Sequence, residues 1–133
     1  NHLASVVESR IMYCQRSPFK IVDYNGDEKE ELTDLLLKPW FDQFISFVLE
    51  HRFFGTQLIE LFDLNENTKE LTGVDRIPIS HFNAIKGIIT KQIGDSTGWQ
   101  YKDGSLSPYY IQVGKNNDLG ILHQMAPAIL AKK

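Results

Sequence analysis

The sequence predicts an α+β fold with a mostly antiparallel sheet. Three observations carry it. Residues 1–54 place apolar side chains at helical spacing, with one short alternating stretch between. After Gly55 the period changes to two. From there, Asn, Asp, Gly and Pro cut the chain into short pieces of the length of strands in hairpins. The 133 residues, 15.3 kDa, suit a single domain, 1–133.

Leu3, Val6, Val7, Ile11 and Cys14 form an apolar stripe, so residues 2–15 read as an amphipathic helix. Pro18 closes it, because the residue before a proline avoids helical geometry. Phe19, Ile21 and Tyr24 alternate with Lys20 and Asp23 and predict a short strand, followed by a turn at Asn25-Gly26. A helix from about Asp27 would turn Leu32, Leu35 and Leu36 inward. Pro39 breaks that helix and suits the first turn of the next. The next helix, Pro39–Phe53, carries Trp40, Phe41, Phe44, Ile45, Phe47, Val48 and Leu49. It is apolar around most of its circumference, so it should be buried on several sides, against a sheet that includes the hairpin that follows. Gly55 is a natural stop.

Gln57–Leu64 and Glu70–Ile77 read as the two strands of that hairpin, joined by a polar turn at Asn65–Thr68 and closed by Pro78. Ala84–Thr90, Trp99–Lys102 and Tyr109–Val113 read as further strands, with Gly94–Gly98 as a loop. Asn116-Asn117-Asp118 can cap a final helix from Leu119.

Composition excludes several classes. At 42% hydrophobic and 23% charged, the chain can build an ordinary core. Its net charge of −3 argues against a tight nucleic-acid clamp. Cys14 is the lone cysteine, so no internal disulfide is available. No stretch approaches the roughly 20 apolar residues of a membrane span, no signal-peptide pattern opens the chain, and no membrane partner is expected. The charge is uneven: residues 1–55 hold 6 basic and 9 acidic side chains, residues 56–133 hold 8 of each. The excess lies in Asp23, Asp27, Glu28, Glu30, Glu31 and Asp34, which reads as a turn and a helix start whose dipole favours acids. Their spacing fits no calcium loop.

The residues point to no catalytic, cofactor-binding or metal site. Gly94–Gly98 lacks the Lys-Ser/Thr of a phosphate loop, and neither GxSxG nor HExxH occurs. His2, His51, His81 and His123 share no i,i+4 spacing on a helix. His51 suits a helix C-terminus, and His81 has no nucleophile tied to it. Cys14 lies on an apolar stripe and reads as a small buried hydrophobe. Glu60, mid-strand, calls for an ion-pair partner such as Arg52 or Arg76. Asp42 and Glu50, eight apart on one helix, are weak grounds for acid–base work.

Taken in order along the chain, several segments resemble the Mu-type phage portal proteins. They are His2-Leu3-Ala4-Ser5-Val6-Val7-Glu8-Ser9-Arg10 with Ser17-Pro18-Phe19-Lys20-Ile21-Val22, then Phe54-Gly55-Thr56-Gln57-Leu58-Ile59-Glu60. Arg76-Ile77-Pro78 with His81-Phe82 follows, then Gly87-Ile88-Ile89, Gly94-Asp95 and Gly98-Trp99-Gln100-Tyr101. The clearest stretch is Asn117-Asp118-Leu119-Gly120-Ile121-Leu122, with Ala126-Pro127 and Lys132-Lys133 after it. Phe54 stands where that family often has a smaller residue or tyrosine, and Asp23–Lys38 has no counterpart in the resemblance.

The resemblance implies a structural protein, not an enzyme, and a fragment of a longer subunit: its outer wing, with flanking helices toward the stem. The parent would form a homo-oligomeric ring at one vertex of a phage or prophage head. It would nucleate assembly, meet capsid or scaffold proteins, dock the terminase packaging motor, and pass double-stranded DNA as cargo. It would assemble in the bacterial cytoplasm. Without the resemblance, the residues allow a non-phage α+β domain for protein interaction or ligand binding, or an enzyme whose site is completed by further chain.

Overall fold

The structure, a computed structural model, describes residues 2–121. Three helices come first: α1 (His2–Arg16), α2 (Glu30–Leu36) and α3 (Pro39–Phe54). Six strands follow: β1 (Gln57–Phe62), β2 (Gly73–Ile77), β3 (Phe82–Asn83), β4 (Ile88–Ile89), β5 (Trp99–Gln100) and β6 (Tyr110–Val113). They form two three-stranded antiparallel sheets, ordered β2-β1-β6 and β3-β4-β5. The fold is α+β.

The central sheet shows why the period of two matters. Ile59 lies opposite Arg76 and Ile111, and Leu58 opposite Ile77 and Gln112. Neighbouring side chains point to opposite faces. Ile59 and Leu61 meet α3, where Phe47, Ile59 and Val74 are buried together and Trp40, Phe44, Val48, Leu71 and Val113 pack around them. Leu58 lies on the other face, with Gln112 opposite it, and is as fully buried as Ile59. The expected packing of the aromatic helix across the hairpin is therefore present. Only Phe47 on α3 falls below the half-buried range, because the helix is shared between the sheet, α1 and the ring of Phe19. Val7 and Ile11 bury the inner stripe of α1, and Gln15 Nε2 donates to the Asp42 carbonyl at 2.6 Å.

Several elements differ from expectation. No strand forms at Phe19–Tyr24: there is one isolated bridge, Val22 with Glu28. The Asp23 carboxylate accepts from the Asn25 and Asp27 amides, at 2.9 and 3.0 Å, and draws the chain into a tight turn. Lys29 N then donates to Ile21 O, so α2 begins at Glu30 and not at Asp27. Leu32 does not face inward; it is exposed, and Thr33 is the buried residue of α2. The Thr33 hydroxyl accepts from Ile21 N and donates to Lys29 O, which ties α2 to the preceding turn.

The strand expected at Glu70 starts at Gly73, since the Glu70 carbonyl is used by Asn65 N inside the loop. The strand expected over Ala84–Thr90 is two strands: Gly87, at φ 69°, donates to Asn83 O and folds the chain back between β3 and β4. Cys14 is exposed, not buried. Val7 and Ile11 are buried, whereas Cys14, one heptad after Val7 and on the same side of the helix, edges an open groove with Val6 and Tyr13 near the end of α1. The expected final helix lies outside the described residues apart from its start at Gly120 and Ile121.

Candidate functional site

A tightly packed joint forms where the end of α3 meets the chain after β6. Gly55 ends α3 at φ 95°, with its amide on His51 O at 2.8 Å. Thr56 then grips the later segment twice. Its amide donates to Asp118 O at 3.0 Å, and its hydroxyl donates to the Lys115 carbonyl. Asp118 returns the contact through its side chain: Oδ1 accepts from Gly120 N at 2.9 Å, as an N-cap does at a helix start.

Two glycines make this approach possible. A Cβ on Gly55 would lie 2.3 Å from Asp118 O. A Cβ on Gly120, at φ 76°, would lie 2.4 Å from Phe53 O and 2.5 Å from Gly55 N. Neither space is available to a side chain, and both positions need the left-handed backbone that glycine takes at little cost. His51 completes the joint at the last turn of α3. Its Nδ1 is buried, makes no hydrogen bond among the described residues, and stands 3.7 Å from Asp118 Oδ2. That distance is too long for a hydrogen bond.

The second sheet, the lobe, attaches close by through polar ties. Tyr101 is buried, and its hydroxyl donates to Gln112 Oε1 at 2.8 Å. Burial holds the Tyr101 phenol above its ordinary pKa. Lys102 Nζ donates to Ala84 O at 2.5 Å and to Asn116 Oδ1 at 2.8 Å. Gln112 Nε2 donates to the same Asn116 oxygen at 3.0 Å. The lobe is thereby held to the turn that feeds the joint.

The residues weighed as chemical candidates are scattered. His81 sits at the entry to β3 with its ring Nδ1 3.4 Å from Thr90 O, while Thr90 N donates to His81 O. It closes the lobe. Glu60 has neither Arg52 nor Arg76 as its partner. Tyr110 donates to it at 3.4 Å, and burial first, then the Glu60 charge, raises the Tyr110 pKa. Arg76 instead pairs with Glu50 and lies over the Phe47 ring, 5.4 Å from its centre, so it clamps α3 onto β2. Asp42 is exposed and offers its backbone carbonyl to Gln15. His123 and the side chain of His2 lie outside the described residues. Among the described residues no three His, Cys, Asp or Glu side chains gather as metal ligands, and no helix is long and apolar enough to cross a membrane.

The joint draws together two segments 62 residues apart in the chain, Thr56 and Asp118. Both segments belong to the resemblance noted above. A family model described as the portal protein of Mu bacteriophage matches residues 1–133. The chain belongs to the Mu phage portal protein family. The match includes Asp23–Lys38, which had no counterpart in the sequence reading. No curated protein and no solved structure matches significantly. A portal family is a structural one, and the described residues build a glycine joint, an arginine clamp and a lysine tie. Sequence reasoning missed Thr56 and the pairing of Gly55 with Gly120. The signal was present in Gly55-Thr56 after an apolar helix and in Asp118 two residues before Gly120.

Proposed function

We propose that this chain is the wing of a phage or prophage portal subunit, a single α+β domain, 1–133, within a longer protein. Such subunits would form a ring at one capsid vertex, nucleate head assembly with capsid or scaffold proteins, dock the terminase motor, and let double-stranded DNA pass. Assembly would take place in the bacterial cytoplasm. The family match over all 133 residues is the observation that carries this reading. The joint supports it physically: a ring part under load needs a fixed angle between its core and the chain that leads onward, and Gly55, Thr56, Asp118 and Gly120 leave little freedom there.

The charge pattern suits a conduit and not a clamp. Affinity for duplex rests on several cations neutralising phosphates together. Here the lobe segment 84–93 offers two lysines, Lys86 and Lys91, against the six acidic side chains of 23–34, and Lys102 is engaged within the fold. Immunogold electron microscopy of induced phage particles, with an antibody against this chain, tests the reading. One label at a single vertex of each head is expected. Label spread over the whole shell, or absent from every head, contradicts it.

A further inference from the structure

Two exposed surfaces lie at opposite ends of the central sheet. The first is the lobe. The chain enters it from Ile77, which pairs with Leu58 where β1 begins, and its ties reach Gln112 and Asn116 at that same end. Ile85 and Ile93 project from it, 73% and 72% exposed. Residues 84–93 contain Lys86 and Lys91 and no acidic side chain; Asp95 follows, its carboxylate accepting from the Gln92 amide at 3.0 Å. The second surface is the segment 22–34. It leads into α2, and Leu35 of α2 shares a cavity wall with Asp63, Asn65 and Thr72, at the end where β1 finishes. Val22, Tyr24 and Leu32 are exposed there, beside six acidic side chains and a single lysine. That lysine, Lys29, pairs with Asp23 at 3.7 Å. β1 separates the two surfaces by about 17 Å at roughly 3.3 Å per residue.

Single exposed apolar residues need no explanation, but apolar groups set among charges mostly of one sign suit an interface. Neither surface suits a copy of itself, since lysines would meet lysines and carboxylates would meet carboxylates. They suit each other. Because they sit at opposite ends of one molecule, their pairing is head-to-tail, the kind of contact that closes rings. We infer that the lobe of one copy, through Ile85, Ile93, Lys86 and Lys91, docks on the acidic 22–34 segment of the next copy. This rests on the portal reading and adds which surfaces meet. Charge fixes the partner and orientation, and the apolar groups supply affinity. The patches are small against the roughly 1,200 Å² of a stable interface, so the contact is weak in this chain alone and salt-sensitive.

Charge exchange tests it. Lys86→Glu/Lys91→Glu makes both surfaces acidic, and Glu28→Lys/Glu31→Lys turns the acidic surface basic. Sedimentation is followed over a wide concentration range at low and high salt, with circular dichroism as the check on folding. The wild-type chain is expected to self-associate weakly at low salt, each double variant to remain monomeric, and an equimolar mixture of the two variants to associate again. A mixture that stays monomeric overturns the inference, as does a wild-type chain monomeric throughout. Wild-type association that neither variant weakens also overturns it; the portal reading then stands on the immunogold result.

Discussion

The central sheet and the lobe are both three-stranded and antiparallel, yet they hold together differently. In the central sheet, Leu58 and Ile59 are wholly buried, and Phe47 of α3 closes over Ile59 and Val74 on one face. In the lobe each strand is two residues long, Trp99 and Gln100 are exposed, and Ile88 is the buried strand residue. The apolar part of the lobe is small, with Ala84, Ile88 and the Tyr101 ring buried and that ring packed on Phe82 and Tyr110. Polar ties do much of the rest: Tyr101 on Gln112, Lys102 on Ala84 and Asn116, His81 beside Thr90. Apolar burial scales with area and resists local change, whereas a few hydrogen bonds each contribute about 1 kcal/mol net. The core should therefore unfold only globally, while the lobe opens by itself.

The largest effect should come from Phe47→Ala, which empties the centre of the core. We expect a loss of about 3–5 kcal/mol in urea denaturation. A loss under about 1 kcal/mol would show that the core tolerates a cavity there and would remove the contrast. Next is Gly120→Ala. The added Cβ meets Phe53 O and Gly55 N, and the backbone is left-handed, so roughly 1–3 kcal/mol should be lost. Gly104→Ala is the control: its φ of 87° is similar, but nothing lies within 4 Å of its Cβ. An equal loss in both variants would mean that strain alone, and not close packing at the joint, sets the cost. Lys102→Met removes the tie of the lobe to Ala84 and Asn116 and should cost only about 1 kcal/mol globally. Its effect should instead be local, with faster proteolysis within residues 82–104. A variant equally resistant there would refute the polar account of the lobe.

The smallest effect is one of pH. Tyr101 and Tyr110 have folded pKa values above the ordinary 10.0, the first from burial, the second from burial and then Glu60. The folded state holds these protons more firmly than the unfolded chain does. Their contribution is fully present below about pH 10 and is lost as pH rises through the folded-state values. Thermal melts of wild type and Tyr110→Phe between neutral and strongly alkaline pH should converge as the phenol ionises. A constant difference across that range would contradict the assignment.

Much of the frame was legible in the sequence. Periodicity placed α1, α3 and the central hairpin, because each buries a continuous stripe. It misplaced what polar groups decide. The Asp23 carboxylate folds residues 22–28 into a turn where alternation predicts a strand, and Gly87 splits an apolar run that looked like one strand. Cys14 fits the apolar stripe of α1 by spacing, yet it is exposed, because it comes near the end of the helix at the edge of an open groove. The partner of Glu60 was sought among arginines, while a tyrosine directly across the ladder takes the role. The joint was legible as two motifs and not as one site. No local signal states that Thr56 will meet Asp118, and only the paired need for glycine at 55 and 120 hints at it.

The contrast between core and lobe is tested most directly by native-state hydrogen exchange read at single amides. The account predicts that Leu58 and Ile59 exchange only through global unfolding, with the full denaturant dependence of the urea transition. Gln100 and Tyr101 should exchange through a smaller opening with a weak denaturant dependence, and Lys102→Met should speed these two and leave Leu58 and Ile59 unchanged. If lobe and core amides instead share one opening free energy and shift together in that variant, the two regions form a single cooperative unit and the account is wrong.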